Sequence, residues 1–210
     1  MKIKRKSLET IRRKEILKAA LLVIAEHGTV NVTLNDIAKA SGFSKGGITY
    51  YYSSKEVLFK NVFLFYFQAI FRKTKNELNK HDNPLDKMFS YAWFFDDDDP
   101  QTMLMYPLMF DLMAIASYDT EYQKTFRDWV DKWITTGFKI AQEGKEKGIF
   151  KIDDVEFAIR TFGAAAQGIG IRWYHARQTH STEWAIKALR YSVISILNVN
   201  KDFLKDDQLS

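Results

Sequence analysis

The residues best equipped for polar chemistry are gathered in one stretch, SGFSKGGITYYYSSKE at 41–56. There Gly46 and Gly47 stand side by side, Tyr50, Tyr51 and Tyr52 follow, and Lys45 and Lys55 lie near the ends. Adjacent glycines in the first turn of a helix leave its backbone bare, and the N–H groups of that turn attract anions. Glycine costs about 1 kcal/mol relative to alanine inside a helix, so a pair of them implies close approach by something outside the fold. Consecutive tyrosines on a helix point about 100° apart and cannot all enter one core. At least one is left to offer its hydroxyl to a phosphate, whereas Tyr52, beside the next helix, reads as core. The chemistry on offer is recognition of phosphates and base edges, with an aromatic packing cluster as the alternative.

Other chemistries lack parts. The chain has no cysteine, which removes disulfides, thiolate zinc sites and cysteine nucleophiles together, and only four histidines, scattered along it. The run Asp96–Asp99 has the look of a metal or catalytic cluster, but metal loops space their ligands with intervening residues and a glycine turn, so it reads as a solvated loop that caps a helix. With no glycine-rich loop after a strand either, no catalytic residue, metal site or cofactor is expected, and an enzyme is not. The formal charge of +5 is unevenly placed: residues 1–60 carry twelve Lys/Arg against five Asp/Glu. That local excess suits a polyanion, since each basic group that neutralises a phosphate releases counterions; a solvated lysine-rich surface is the plainer reading.

The elements that must position these residues are helical throughout. Ile16, Ala20, Val23, Ile24 and His27 recur at three and four, and Gly28 stops the first helix. Thr33-Leu34-Asn35-Asp36 is a capping box opening a second, Ser41-Gly42 ends it, and Ser44 caps a third over about Lys45–Tyr51. Ser53-Ser54-Lys55-Glu56 reads as another capping box, starting a long helix to about Asn79. Asn83-Pro84 opens a helix to about Phe95, and Asp99-Pro100 opens the next, with a kink or break expected near Tyr106 at Pro107. Three more are expected over Asp119–Lys147, Asp153–Arg177 and Thr182–Val199. The result is an all-α chain of about nine helices with no strand. It divides into an N-terminal three-helix domain at 1–54, a connecting helix at 55–82, a C-terminal domain at 83–200 and a polar tail at 201–210 expected to fray. The second and third helices with their glycine turn, at about 33–52, form a helix-turn-helix, whose second helix enters the DNA major groove. No apolar run is long enough to span a membrane, and the basic N-terminus lacks the apolar segment of a secretory signal, so a cytoplasmic protein is expected.

The run TLNDIAKASGFSKGGITYYYSSKEVLF, preceded by one helix and followed by an all-helical remainder, resembles the TetR family of transcriptional regulators over residues 8–65. The resemblance implies a homodimer that binds a palindromic double-stranded DNA operator and releases it when a small-molecule effector enters the C-terminal domain, with no membrane partner. By position it implies that Thr33 caps the second helix and meets a phosphate, that Asn35 reaches toward a base, and that Ser44 begins the recognition helix. Lys45, Gly46 and Thr49 fall at base-contacting positions, and Tyr50, Tyr51 and Lys55 at phosphate-holding ones. The family's usual tyrosine is replaced by Thr49 and its usual phenylalanine by Tyr52, a departure that bears on operator preference. Thr49, with Ile11-Arg12-Arg13, is more like the betaine-pathway repressors of the family. A helical protein-interaction module and a ligand-responsive activator are the alternative readings.

Residues 84–178 are rich in large apolar side chains that serve either as core or as the lining of a plastic pocket. Trp93, Met109, Phe110, Met113, Trp129, Trp133 and Trp173 are the candidate ligand-binding set for an apolar or cationic molecule, the tryptophans supplying cation–π faces. Small residues along FGAAAQGIGIRW allow close helix approach. Ala164, Gly168 and Ile171, with Ala188, Leu189 and Ile196 of the last helix, are the candidate dimer seam, burial within one subunit being the alternative.

Overall fold

The computed structural model describes the backbone of residues 2–204 and the side chains of residues 8–204. Nine α-helices follow one another among them: α1 Lys2–Asn31, α2 Leu34–Ser41, α3 Lys45–Tyr51, α4 Lys55–Leu78, α5 Pro84–Phe89, α6 Pro100–Ala116, α7 Thr120–Glu146, α8 Val155–His175 and α9 Thr182–Ile196. The described residues form no strand beyond an isolated bridge between Phe150 and Val199. No helix among them is long and apolar enough to cross a membrane. Of the polar tail, Lys201–Phe203 make a single 3-10 turn, and residues 205–210 lie outside the described part.

By contacts the chain forms two compact units. The first is Met1–Ile70 with Pro107–Phe126, and the second is Phe71–Tyr106 with Arg127–Ser210. The core of the first unit contains Ile16, Ala20, Ile24, Ile37, Ile48, Leu58 and Val62, all sealed from solvent. Gly28 has φ 73 and ψ 153, a left-handed backbone that only glycine enters without strain, and it interrupts α1 where the stop is expected. The interruption leaves backbone donors without helical partners. Asp111 of α6 receives one of them, the Thr29 N–H, at 2.7 Å. Lys60 pairs with Glu121 at 2.7 Å, and the Tyr122 hydroxyl donates to the Glu56 carbonyl at 3.1 Å, its pKa raised by burial to about 12. Residues 107–126 are thus tied to α1 and α4 within this unit. At the start of α4 the cap is Ser54, whose Oγ accepts from Val57 N at 3.2 Å, so the capping residue is the second of the two serines.

The second unit is organised by α8 packed on α9, over a core that includes Leu85, Met88, Phe95, Trp173, Leu189 and Val193. The helix expected from Asn83 to Phe95 stays an α-helix only as far as Phe89. Ser90–Phe95 tighten into a 3-10 helix, whose three-residue repeat eclipses side chains at i and i+3 and stacks Tyr91 on Phe94 with centroids 6.0 Å apart. Of the kink or break expected at Pro107, the break does not occur, and α6 continues through the proline. Proline removes one helical hydrogen bond and costs about 3 kcal/mol, but Met105, Tyr106, Leu108, Met109 and Leu112 are all buried along the same helix. At about 1.5–3 kcal/mol for each large apolar side chain, their burial outweighs that loss.

Candidate nucleic-acid interface

The geometry of the interface starts from two caps. Thr33 opens α2 with both halves of a capping box: its Oγ1 accepts from Asp36 N at 3.3 Å, and its N–H donates to Asp36 Oδ2 at 2.8 Å. The Thr33 hydroxyl also donates to Asp36 Oδ2 at 2.7 Å, and these bonds hold the Asp36 carboxyl below its ordinary pKa. Gly42, at φ 72, ends α2 in the left-handed conformation. Ser44 then opens α3, accepting from Gly47 N at 3.0 Å. The two short helices are therefore set by side chains within four residues of each turn.

The glycine pair divides into two roles. A Cβ on Gly47 would stand 3.2 Å from Ser44 Oγ, inside the cap itself, so this glycine answers to the fold. Among the described residues, a Cβ on Gly46 would meet nothing nearer than Ser44 Oγ at 4.0 Å. Gly46 is exposed beside exposed Ser44 and Lys45, and its missing side chain has no intramolecular use. The Thr49 hydroxyl turns back to the Lys45 and Gly46 carbonyls at 3.2 and 3.1 Å. Asn35 lies exposed on the first turn of α2, and Lys55 is half-buried with its ammonium 5.0 Å from the Phe59 ring centre.

The three tyrosines take three environments. Tyr50 is 73% exposed and Tyr52 only 3%. Tyr51 is intermediate, in edge contact with Phe43 and Tyr50. Burial raises the Tyr52 pKa, against the opposing pull of Arg13, and its hydroxyl donates to the Arg13 carbonyl at 3.2 Å. Arg13 completes the arrangement: Nη1 donates to the Tyr51 carbonyl at 2.7 Å, and the guanidinium lies 5.5 and 5.3 Å from the Tyr51 and Tyr52 rings. This residue clamps the end of α3 to α1 and is a positioning residue that spacing alone does not reveal. Its partners lie 38 and 39 residues away in sequence.

The candidate effector residues fall in different units. Met109, Phe110 and Met113 belong to the first. In the second, Trp93, Trp129 and Trp133 share an aromatic cluster with Phe71, Tyr91 and Phe94, at centroid separations of 4.3 to 6.2 Å. Trp173 stands among Phe95, Tyr106 and Arg177 and donates from Nε1 to Thr182 Oγ1 at 3.0 Å. Lys73 reaches the cluster with its ammonium 4.6 Å from the Trp93 ring centre and pairs with Asp99. Asp99 caps α6 as expected, accepting from Thr102 N at 2.7 Å and Thr102 Oγ1 at 2.6 Å. Burial works against its ionisation, but the hydrogen bonds from Lys73 and Thr102 outweigh it and hold the carboxyl below its ordinary pKa. Asp96, Asp97 and Asp98 are exposed, with carboxylate oxygens within 4.8 Å of one another, and Asp97 pairs with Arg177 at 3.4 Å.

Along α8 and α9 the small and apolar residues also sort by direction. Leu189, expected at a seam with a second copy, is 0% exposed and fills the subunit's own core beside Ala185 and Val193. Its four-residue spacing from those two puts all three on the inward face. Gly170 likewise faces inward, where a Cβ would stand 2.8 Å from Tyr106 Oη. Ala164 is exposed, and Gly168, Ile171, Ala188 and Ile196 are half-buried. Phe157 and Tyr191, 70% and 72% exposed, are further large apolar groups left on the outside of these helices.

A short α2, a left-handed glycine turn and an α3 with an exposed, glycine-bared first turn define a helix-turn-helix DNA-binding protein. The sequence model for bacterial regulatory proteins of the tetR family matches residues 16–62, the part of the chain that holds the helix-turn-helix. The HTH-type transcriptional repressor KstR2 of Mycolicibacterium smegmatis is 26% identical over 171 residues, 78% of this chain and 79% of its own. The HTH-type transcriptional regulator BetI of Agrobacterium fabrum is 43% identical, but over only 51 residues, 24% of this chain and 25% of its own. Among solved structures, a transcriptional regulator from Saccharomonospora viridis in complex with choline superposes with a TM-score of 0.80, at 19% identity over 89% of this chain and 96% of that one. These relatives are transcriptional regulators and not enzymes.

Proposed function

We propose that this protein is a one-component repressor acting in the cytoplasm, which binds a palindromic operator as a homodimer and is released by a small apolar or cationic effector. The observation that carries the reading is the first turn of α3. Lys45 and Gly46 are exposed there without an intramolecular task for the missing Cβ, and Tyr50 stands open one turn later. Lys45, Gly46 and Thr49 are assigned to base edges, Ser44 to the start of the reading helix, and Thr33, Tyr50, Tyr51 and Lys55 to phosphates, with Asn35 reaching toward a base. The repressor relatives support the sign of regulation. Choline in the Saccharomonospora protein and the tryptophan-rich cluster of the second unit support an effector held by aromatic faces.

The outward sides of α8 and α9 are assigned to the dimer. Ala164, Gly168, Ile171, Ala188 and Ile196 form the seam, with Phe157 and Tyr191 flanking it. A two-fold dimer reads two half-sites about 34–36 Å apart, so an effector acts by changing that spacing. Mobility shifts with the DNA upstream of the gene test the reading, comparing Lys45→Ala with Lys55→Ala. Lys55→Ala should weaken binding to all sequences and lower the salt slope by about 1, whereas Lys45→Ala should also relax base preference. Equal behaviour of the two variants across operator substitutions removes the assignment of roles, and no shift with any upstream DNA removes the function.

A further inference from the structure

The second unit treats its tryptophans unequally. Trp173 is fully buried and its indole N–H has an acceptor, Thr182 Oγ1, at 3.0 Å. The indole nitrogens of Trp93 and Trp133 are buried as well, yet no acceptor among the described residues lies within hydrogen-bonding distance of either. Folding normally pairs a buried donor or leaves it at the surface, and a tryptophan needed only for its bulk is replaceable by phenylalanine without that loss. Both indoles touch Phe94, at centroid distances of 4.3 and 5.3 Å, so the two donors belong to one cluster.

A charge stands beside them. The Lys73 ammonium lies 4.6 Å from the Trp93 ring centre and is paired with Asp99. Asp99 keeps two further hydrogen bonds from Thr102, so its carboxylate stays solvated by the α6 cap when the lysine turns elsewhere. Aromatic faces repel an anion, but ring edges and indole N–H groups attract it.

We propose that the effector presents an accepting oxygen, of a carboxylate or a carbonyl, to the indole N–H groups of Trp93 and Trp133, and that Lys73 supplies the counter-charge when that oxygen belongs to a carboxylate. The proposal rests on the reading that this cluster is the effector site; of the apolar or cationic class proposed above it keeps the apolar body and puts an accepting oxygen in place of the cationic group. The aromatic faces then hold the apolar body, and the indole donors set which end of the molecule enters.

The test uses three probes with one body, 4-phenylbutyrate, 4-phenylbutanamide and 4-phenylbutylamine, titrated calorimetrically into the full chain. The acid and the amide should bind at least about tenfold more tightly than the amine, which offers no accepting oxygen. Trp93→Phe and Trp133→Phe should each weaken the acid and the amide about tenfold while changing the amine little. The space each substitution opens affects all three probes alike, so only the difference between probes reads the N–H. Lys73→Met should weaken the acid alone. An amine that binds as well as the acid, with both lost in Trp93→Ala, overturns the accepting-oxygen inference and leaves the site standing. An acid whose affinity is untouched by every one of these variants overturns the site as well, as does binding of none of the three at millimolar concentration.

Discussion

Replacing Gly46 by alanine separates a residue kept for the fold from one kept for DNA. The added Cβ would meet only Ser44 Oγ, at 4.0 Å, which is ordinary contact, and Gly46 has no positive φ that alanine would strain. Alanine in place of a helical glycine stabilises by about 0.5–1 kcal/mol through the unfolded chain. For a protein of this size that corresponds to a midpoint raised by roughly 1–4 °C. The methyl group would occupy the space through which a base edge or phosphate approaches the first turn of α3. Losing one such contact is worth about 1–3 kcal/mol, a fall in operator affinity of roughly fivefold to 150-fold. Thermal unfolding and fluorescence anisotropy on an operator fragment at one fixed salt concentration measure the two effects on the same preparation. Gly47→Ala is the control, because its Cβ would crowd Ser44 Oγ at 3.2 Å and loosen the cap, lowering stability by about 0.5–2 kcal/mol. If Gly46→Ala binds operator like the unmodified protein, the close-approach argument is wrong. If it is instead destabilised, the glycine serves the fold and the same conclusion follows.

Three further outcomes are expected. Gly144→Ala would place its Cβ 2.2 Å from two carbons of the Phe150 ring, itself buried, and should cost about 1–3 kcal/mol or more by chemical denaturation; an unchanged midpoint would show that the ring moves freely. Because the folded pKa of Asp99 is depressed, its stabilising contribution is fully present above the unfolded value near 3.9 and is lost as pH falls through the lower folded value. Asp99→Asn should therefore flatten the stability curve below about pH 4, and a variant that keeps the full acid limb would assign that limb to other carboxylates. Gly168→Leu adds bulk where, among the described residues, the only neighbour of a Cβ is Arg172 Nη1 at 3.9 Å, so the subunit should fold while sedimentation shows a weakened dimer; a dimer of unchanged affinity would move the seam elsewhere.

What the amino-acid sequence determined by itself was local. The caps at Thr33, Ser44, Asn83 and Asp99 and the stops at Gly28 and Gly42 depend on partners within a few residues, and the structure forms each of them. The helix-turn-helix was legible for that reason, since its geometry is written in two caps and one left-handed glycine. The candidate DNA contacts were legible as positions for the same reason, although the roles given them are an assignment. Wherever the outcome turned on burial across distance, the sequence was silent or misleading. Pro107 carries a local penalty that pointed to a kink or a break, and the packing of both flanks of α6 keeps the helix unbroken. Leu189 fits an outward seam and an inward core equally well by type, and the choice is made by the rotation of α9 against α8. Arg13 gives no local sign that its guanidinium will hold Tyr51 and Tyr52. Five tryptophans are plain in the sequence. That the Trp173 N–H finds Thr182, while those of Trp93 and Trp133 are sealed in without an acceptor among the described residues, depends on which polar atoms folding brings within 3 Å, and no spacing of residues encodes that.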